Sequence, residues 1–310
     1  MKTGWAHSNI SWSLHQEYRN SPHFYQGNCN LNGENLLGTC ICGKGFYGNE
    51  CQYKKRFMPC TNRDDICFYT KLAGVFAVSK PRWNFAQEAE KTLWLKTKDT
   101  NDRTEEHMHD FDEYKKVAPD GSNLGVLLEI GCGPWSQSYP MIQKRNYKFD
   151  KYILLDPGII DYSRIKTSIL NKKIHPIPIY IKSPGEDISF IENTIDTLVM
   201  INVLEHVENS IKLLRVVYNA LKPGGKIIFN DRWWDREGKP GNKRKLMDLD
   251  VLYHPIRLHK KIFDLFLSGF DEIYRIDNSK SWAFTKDNRN YEGTYFIGKK
   301  KSFNSLLSNE

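Results

Sequence analysis

From Val126 onward, apolar residues fall into short unbroken runs separated by longer stretches of mixed polarity. Val126–Ile130, Tyr152–Leu155, Ile177–Ile181, Thr197–Ile201 and Lys226–Asn230 each read as a strand. Between the last two, Val207, Ile211, Leu214, Tyr218 and Leu221 recur at helical spacing, and Lys222-Pro-Gly-Gly225 closes that helix. Lys260 to Leu267 predicts another helix. Phe270–Ile276 and Thr294–Lys299, separated by the polar stretch Asp277 to Glu292, predict a final strand pair with a long connection. Strand alternating with helix predicts an α/β protein with a mostly parallel sheet. Upstream, Phe85, Ala89, Leu93 and Trp94 share a helical face, so residues 68–116 read as a helical linker or lid.

The first strand runs into Gly131-Cys132-Gly133-Pro134, a turn that lets backbone approach a ligand closely. Twenty-five residues beyond Gly131, the second strand ends at Asp156, where a carboxylate can accept hydrogen bonds from both hydroxyls of a ribose. The third strand leads to Gly185-Glu186-Asp187, the fourth to Asn202-Val-Leu-Glu-His206.

In this order LEIGCGP, LLDPG, GED, INVLEHV and LKPGGKIIF resemble the class I S-adenosylmethionine-dependent methyltransferases, over residues 117–299. The resemblance implies a Rossmann-like α/β fold with seven strands, the last antiparallel, and S-adenosylmethionine as cofactor. It places the methionine part of the cofactor at Glu129, Gly131, Cys132 and Gly133. It places the ribose at Asp156, the adenine amino group at Asp187 with Glu186 beside it, and the reacting methyl over Asn202 and Val203. Pro134-Trp135 departs from the small residues many relatives carry there, which implies a tighter turn or a more covered methionine pocket.

Cysteine usage divides the chain, with six of the seven cysteines before residue 68 and only Cys132 beyond. Cys40-x-Cys42, then Cys51 after Gly45-Phe-Tyr-Gly48, resembles the C-terminal half of an epidermal-growth-factor-like module, truncated because no cysteine precedes Cys29. That resemblance implies a Cys42–Cys51 bond; Cys29 and Cys40 are then expected to pair, leaving Cys60 with Cys67 across a short loop. A zinc site on Cys29, Cys40, Cys42 and Cys51 is the alternative, although Cys-x-Cys spacing fits zinc ligand pairs poorly, and no metal is expected. The chain is thus divided into an extension (1–28), a disulfide-rich module (29–67), the linker (68–116), a methyltransferase domain (117–301) and a tail (302–310).

Disulfides favour the secretory lumen or the cell exterior, with a cytoplasmic small-molecule or protein methyltransferase bearing reduced cysteines as the alternative. No apolar run of about twenty residues offers a membrane span, and the polar start Met1-Lys-Thr-Gly shows no signal-peptide core. The net charge of +8 suits a basic solvated surface as well as an acidic partner. No stripe of basic and aromatic residues marks nucleic acid, so a polar small molecule or glycan is the expected acceptor.

An acceptor hydroxyl needs a base near neutrality, which makes His254 and His206 the candidates, with Asp231 beside them. After the fifth strand, Arg232, Trp233, Trp234 and the later Arg257 are candidate acceptor contacts, the tryptophans by stacking and the arginines by pairing with an acidic group. One of the two tryptophans is expected in the core. A non-catalytic extracellular binding module on the same fold is a further reading.

Overall fold

The computed structural model describes residues 72–96, 112–188, 192–235, 253–277 and 292–302, with five short strands between residues 33 and 70. Gly33–Leu36 (β1) pairs with Thr39–Cys42 (β2), and Phe46–Tyr47 (β3) with Tyr53–Lys54 (β4), both antiparallel. Cys40 and Cys42 each take part in a disulfide. The pairings expected for Cys29, Cys51, Cys60 and Cys67 involve side chains outside the described residues.

Residues 68–116, expected to be helical throughout, open instead with a hairpin. Cys67–Thr70 (β5) turns through Gly74 into Gly74–Val78 (β6), and only then does Lys80–Lys96 (α1) begin. Gly74-Val-Phe-Ala-Val is a run of strand-forming residues, and the alternative of a helix would have to place a left-handed glycine (φ 77°) at its start.

The domain that follows is a seven-stranded sheet. Its strands are Val126–Ile130 (β7), Lys151–Leu155 (β8), Ile179–Ile181 (β9), Ile195–Ile201 (β10), Leu221–Trp233 (β11), Phe270–Asp277 (β13) and Glu292–Lys300 (β14). The spatial order is β13-β14-β11-β10-β7-β8-β9. β7 through β11 pair in parallel, while β14 is antiparallel to both β11 and β13, as the family resemblance implies. The remaining helices are Ser138–Arg145 (α2), Ile159–Tyr162 (α3), Ser210–Ala220 (α4) and Lys260–Leu267 (α5).

Both faces of the central strands are covered, which is why their sequences are continuously apolar rather than alternating. On one face Leu128, Ile130, Leu198, Met200, Ile227 and Phe229 meet α4 and α5; on the other Leu127, Leu154, Val199 and Ile228 meet the aromatic cluster of Trp135, Tyr139 and Tyr152. Phe229 touches Phe263 and Phe266 of α5 at ring separations of 5.5 and 6.1 Å. Asn209 starts α4, its side chain accepting from Lys212 N at 3.0 Å.

A second, three-stranded sheet, in the order β12-β6-β5 with Arg257–Leu258 as β12, lies over the carboxyl ends of β10 and β11. It is fastened by Val78 N donating to Glu208 O (3.0 Å) and Ser210 Oγ donating to Phe76 O (2.8 Å). From α1, Trp83 Nε1 and Gln87 Nε2 both donate to His206 O, at 2.9 and 2.8 Å. A Cβ on Gly74 would stand 2.3 Å from Arg257 O. Gly74→Ala therefore combines a backbone clash with a left-handed φ, and is expected to destabilise this small sheet by roughly 2 kcal/mol. Hydrogen exchange should show faster exchange confined to residues 67–78 and 257–258; unchanged protection there would contradict the packing described.

Candidate functional site

The turn after β7 is built on two left-handed glycines, Gly131 (φ 68°) and Gly133 (φ 54°). They serve different needs. A Cβ at Gly131 would lie 2.6 Å from Val203 Cγ2, so this glycine lets two loops touch; a Cβ at Gly133 would meet nothing within 4 Å, leaving open space above bare backbone. Asp156, immediately beyond β8, holds the turn with one carboxylate. Its Oδ2 accepts from Gly133 N (3.0 Å) and its Oδ1 from Gly158 N (2.7 Å), leaving each oxygen a further lone pair. Burial pushes this carboxyl up to about 6, against the pull of the two amides. Open space over Gly133 and a buried acid with accepting capacity fit a nucleoside bearing two ribose hydroxyls and an amino-acid tail.

Three other acids expected to face the cofactor or the chemistry are turned inward. Glu129 accepts from Ser136 Oγ (2.6 Å), Gln137 N (2.7 Å) and Ser138 N (3.1 Å), and from Ser138 Oγ. It caps the start of α2, where helix amides lack internal partners. Glu186 accepts from Glu208 N (2.7 Å) and Asn209 N (3.3 Å) and so secures the entry to α4. Asp231 accepts from Val203 N (2.9 Å), Leu204 N (2.7 Å) and Arg232 N (2.9 Å), fixing the path out of β10. Burial and then neighbouring Glu205 raise the Asp231 carboxyl to about 7.

Other expected contacts vary in placement. Asp187 is exposed and pairs with Lys212 at 3.0 Å. Cys132 is a buried free thiol, driven well up by burial and then by Asp156 and Glu129. Asn202 is exposed in a left-handed conformation (φ 57°) at the end of β10, and Val203 beside it is buried against Gly131. Trp135 does not cover the turn; it packs edge-on to Trp94 of α1 at 5.4 Å within the core.

At the exits of β10 and β11 lies a dense charged cluster. Arg232 is 6 % exposed, and its Nε donates to Glu205 Oε2. Its Nη2 lies 2.6 Å from His254 Nδ1 and its guanidinium stacks on Trp234, 4.4 Å from the ring centroid. Arginine can only donate, so His254 Nδ1 is the accepting nitrogen and its hydrogen sits on Nε2, which faces Glu205 Oε1 at 3.4 Å. The His206 ring stands edge-on to that of His254 at 4.8 Å, its Nδ1 3.0 Å from Glu90 of α1 and its Nε2 3.7 Å from Glu205. Burial works to lower the His206 pKa, but Glu90 and then Glu205 outweigh it and hold the imidazole up at about 9.

Two of the expected acceptor contacts thus belong to the interior. Trp233 is buried and packs on Phe263, so it is the core member of the pair, while Trp234 is partly exposed. Arg232 is committed to Glu205. Arg257 is half-buried in β12.

Glu205 with His206 and His254 places three potential ligand atoms within 4.8 Å of one another. The arrangement fits a cation poorly, because His254 Nε2 carries hydrogen whenever Nδ1 accepts from Arg232, and the guanidinium adds positive charge beside the shared carboxylate.

Sequence reasoning missed two members of the cluster. Glu205 sits next to the candidate His206 in the same motif, so its neighbour was a signal for it. Glu90 lies a full α/β unit upstream; its only signal is that Trp83, Ala86, Gln87 and Glu90 share a helix face at i, i+3, i+4 and i+7.

A family profile described as a methyltransferase domain matches residues 103–261, just over half of the chain. The chain belongs to this family, and its domain is of the class I S-adenosylmethionine-dependent type. Curated relatives include a tRNA U34 carboxymethyltransferase from Sulfurovum sp. (29 % identical over 37 % of this chain and 36 % of the relative). Another of that description comes from Campylobacter curvus (24 %, covering 42 % of each). The chain spans well under half the length of these relatives. Among solved structures it is similar to the N-methyltransferase NodS of Bradyrhizobium japonicum, with 16 % identity, 71 % of this chain, all of that chain and a TM-score of 0.45. It is also similar to phosphoethanolamine N-methyltransferase 2 of Haemonchus contortus (13 %, 64 % and 53 %, TM-score 0.48).

Asp156→Ala is expected to weaken S-adenosylmethionine binding by about 1.5–3 kcal/mol, the scale of charge-assisted hydrogen bonds. The ionised carboxylate is the accepting form, so wild-type affinity should fall as pH drops through about 6 and level off above it. Calorimetric titration between pH 5 and 8 checks both; a pH-independent affinity would remove Asp156 from the ribose.

Proposed function

We propose that this chain methylates a hydroxyl oxygen on a neutral polar acceptor, of which a glycan in the secretory lumen is the leading case, with His254 as the base. The observation that carries the reading is the different partners of the two histidines, Glu90 at His206 and the Arg232 guanidinium at His254. His206, held up at about 9, is protonated at neutral pH and cannot take a proton. His254 has a lone pair at Nδ1 maintained by the adjacent guanidinium, and a carboxylate behind Nε2 to compensate the charge that arrives.

Bound S-adenosylmethionine supplies a sulfonium-activated methyl group. The acceptor enters beside Trp234, whose partly exposed ring offers a stacking surface to a sugar face. Its hydroxyl exchanges with Arg232 Nη2 at His254 Nδ1, and its proton passes to that nitrogen as the oxygen is methylated. Glu90 and Glu205 carry negative charge against the positive charge of His206 and Arg232, so this wall is close to neutral overall and favours a hydroxyl over a carboxylate. The disulfide-bonded Cys40 and Cys42 support an oxidising compartment, and with it the epidermal-growth-factor-like reading of residues 29–67.

A second reading, an RNA acceptor, is favoured by the two bacterial relatives, both tRNA U34 carboxymethyltransferases. Labelled methyl transfer from S-adenosylmethionine to neutral glycans and, in parallel, to bulk tRNA separates the two; label entering only tRNA would replace the glycan reading. With the accepted substrate, His254→Ala should lower kcat by about 10²–10⁴-fold while the cofactor Kd stays unchanged. A wild-type rate in His254→Ala, or an equal loss in His206→Ala with His254→Ala active, would take the base role from His254.

A further inference from the structure

At the opposite end of the sheet from the methyl-transfer site, a cavity of about 740 Å³ opens between the segment entering β7 and the strand pair β13–β14. Four lysines line it, Lys115, Lys116, Lys226 and Lys299, together with Asp271 and Glu272. Lys226 and Asp231 lie five residues apart on β11, so about 17 Å of strand separates this cavity from the charged cluster.

The lysines are arranged in a way that folding alone does not favour. Lys226 of β11 and Lys299 of β14 stand directly opposite each other across an antiparallel pair, where like charges are destabilising. Burial, and then Lys299, lower the Lys226 pKa. Some lysines elsewhere find acids: Lys80 pairs with Glu208, Lys212 with Asp187, Lys222 with Asp196 and Lys260 with Asp264. Among the described residues no such ion pair is formed by Lys115, Lys116, Lys226 or Lys299, although Asp271 is the cross-strand neighbour of Lys299. Lys116 instead places its ammonium 3.2 Å from the Tyr274 ring centroid, which keeps it at the cavity wall.

We propose that this cavity is a second binding site, for a ligand carrying two or more negative charges on phosphate or sulfate groups. Such a ligand bridges Lys226 and Lys299 and removes their mutual repulsion, with Lys115 and Lys116 closing over it from the other side. A volume of this size suits a body as large as a nucleotide or a disaccharide rather than a bare ion. The site is separate from the cofactor turn and does not depend on which acceptor is methylated.

Calorimetry on the full chain saturated with S-adenosylhomocysteine, with pyrophosphate in one arm and a trisulfated disaccharide in the other, tests this and distinguishes phosphate from sulfate. Binding in at least one arm is expected, weakening with added salt, and weakened tenfold or more in Lys226→Gln/Lys299→Gln. S-adenosylhomocysteine affinity should remain as in the wild type, which also certifies the fold. Should that variant not fold, Lys115→Gln/Lys116→Gln provides the same comparison. No binding of either probe at millimolar concentration in low salt, or undiminished affinity in the folded variants, overturns the proposal.

Discussion

The site rests on one buried ion pair, Arg232 with Glu205, formed where β10 and β11 leave the sheet. Two charges removed from water are stabilised only as far as their remaining donors and acceptors find partners. The guanidinium also contacts His254 and Trp234, and the second carboxylate oxygen faces both histidines. Loss of either partner would leave an uncompensated buried charge, at a cost of about 3–5 kcal/mol. One histidine faces the arginine and the other faces Glu90, so two chemically identical rings 4.8 Å apart stand in different electrostatic surroundings.

A second constraint shapes the rim around that pair. Tight turns at the carboxyl ends of buried parallel strands expose backbone amides that neither helix nor sheet can satisfy. Here carboxylates satisfy them: Glu129 at the start of α2, Asp156 between two glycine turns, Glu186 before α4, Asp231 under the exit of β10. Of these, Asp156 keeps accepting capacity beside open space over Gly133, which is why it alone combines the structural task with the geometry of a ribose contact.

Much of this was legible in the sequence because the signals are local. Unbroken apolar runs located the strands, Gly131 and Gly133 marked the turn, and Asp156 followed from its position at a strand end. Which way a side chain points is less legible where residues alternate. Trp233 and Trp234 look alike in sequence, yet one faces Phe263 and the other the mouth. A motif gives Glu129 and Glu186 their places but not the backbone amides they meet at the starts of α2 and α4. Glu90 and the β5–β6 hairpin were out of reach for a different reason. Their role comes from packing against residues more than a hundred positions away, such as His206, and the helix face shared by Trp83, Ala86, Gln87 and Glu90 does not say what it meets.

The central claim concerns the charge state of two histidines, and nitrogen-15 NMR of the imidazole rings in the intact protein at pH 7.5 measures it. His206 is predicted to show both ring nitrogens protonated, and His254 a neutral ring with hydrogen on Nε2 alone. A neutral His206, or a His254 carrying hydrogen on Nδ1, would contradict the account.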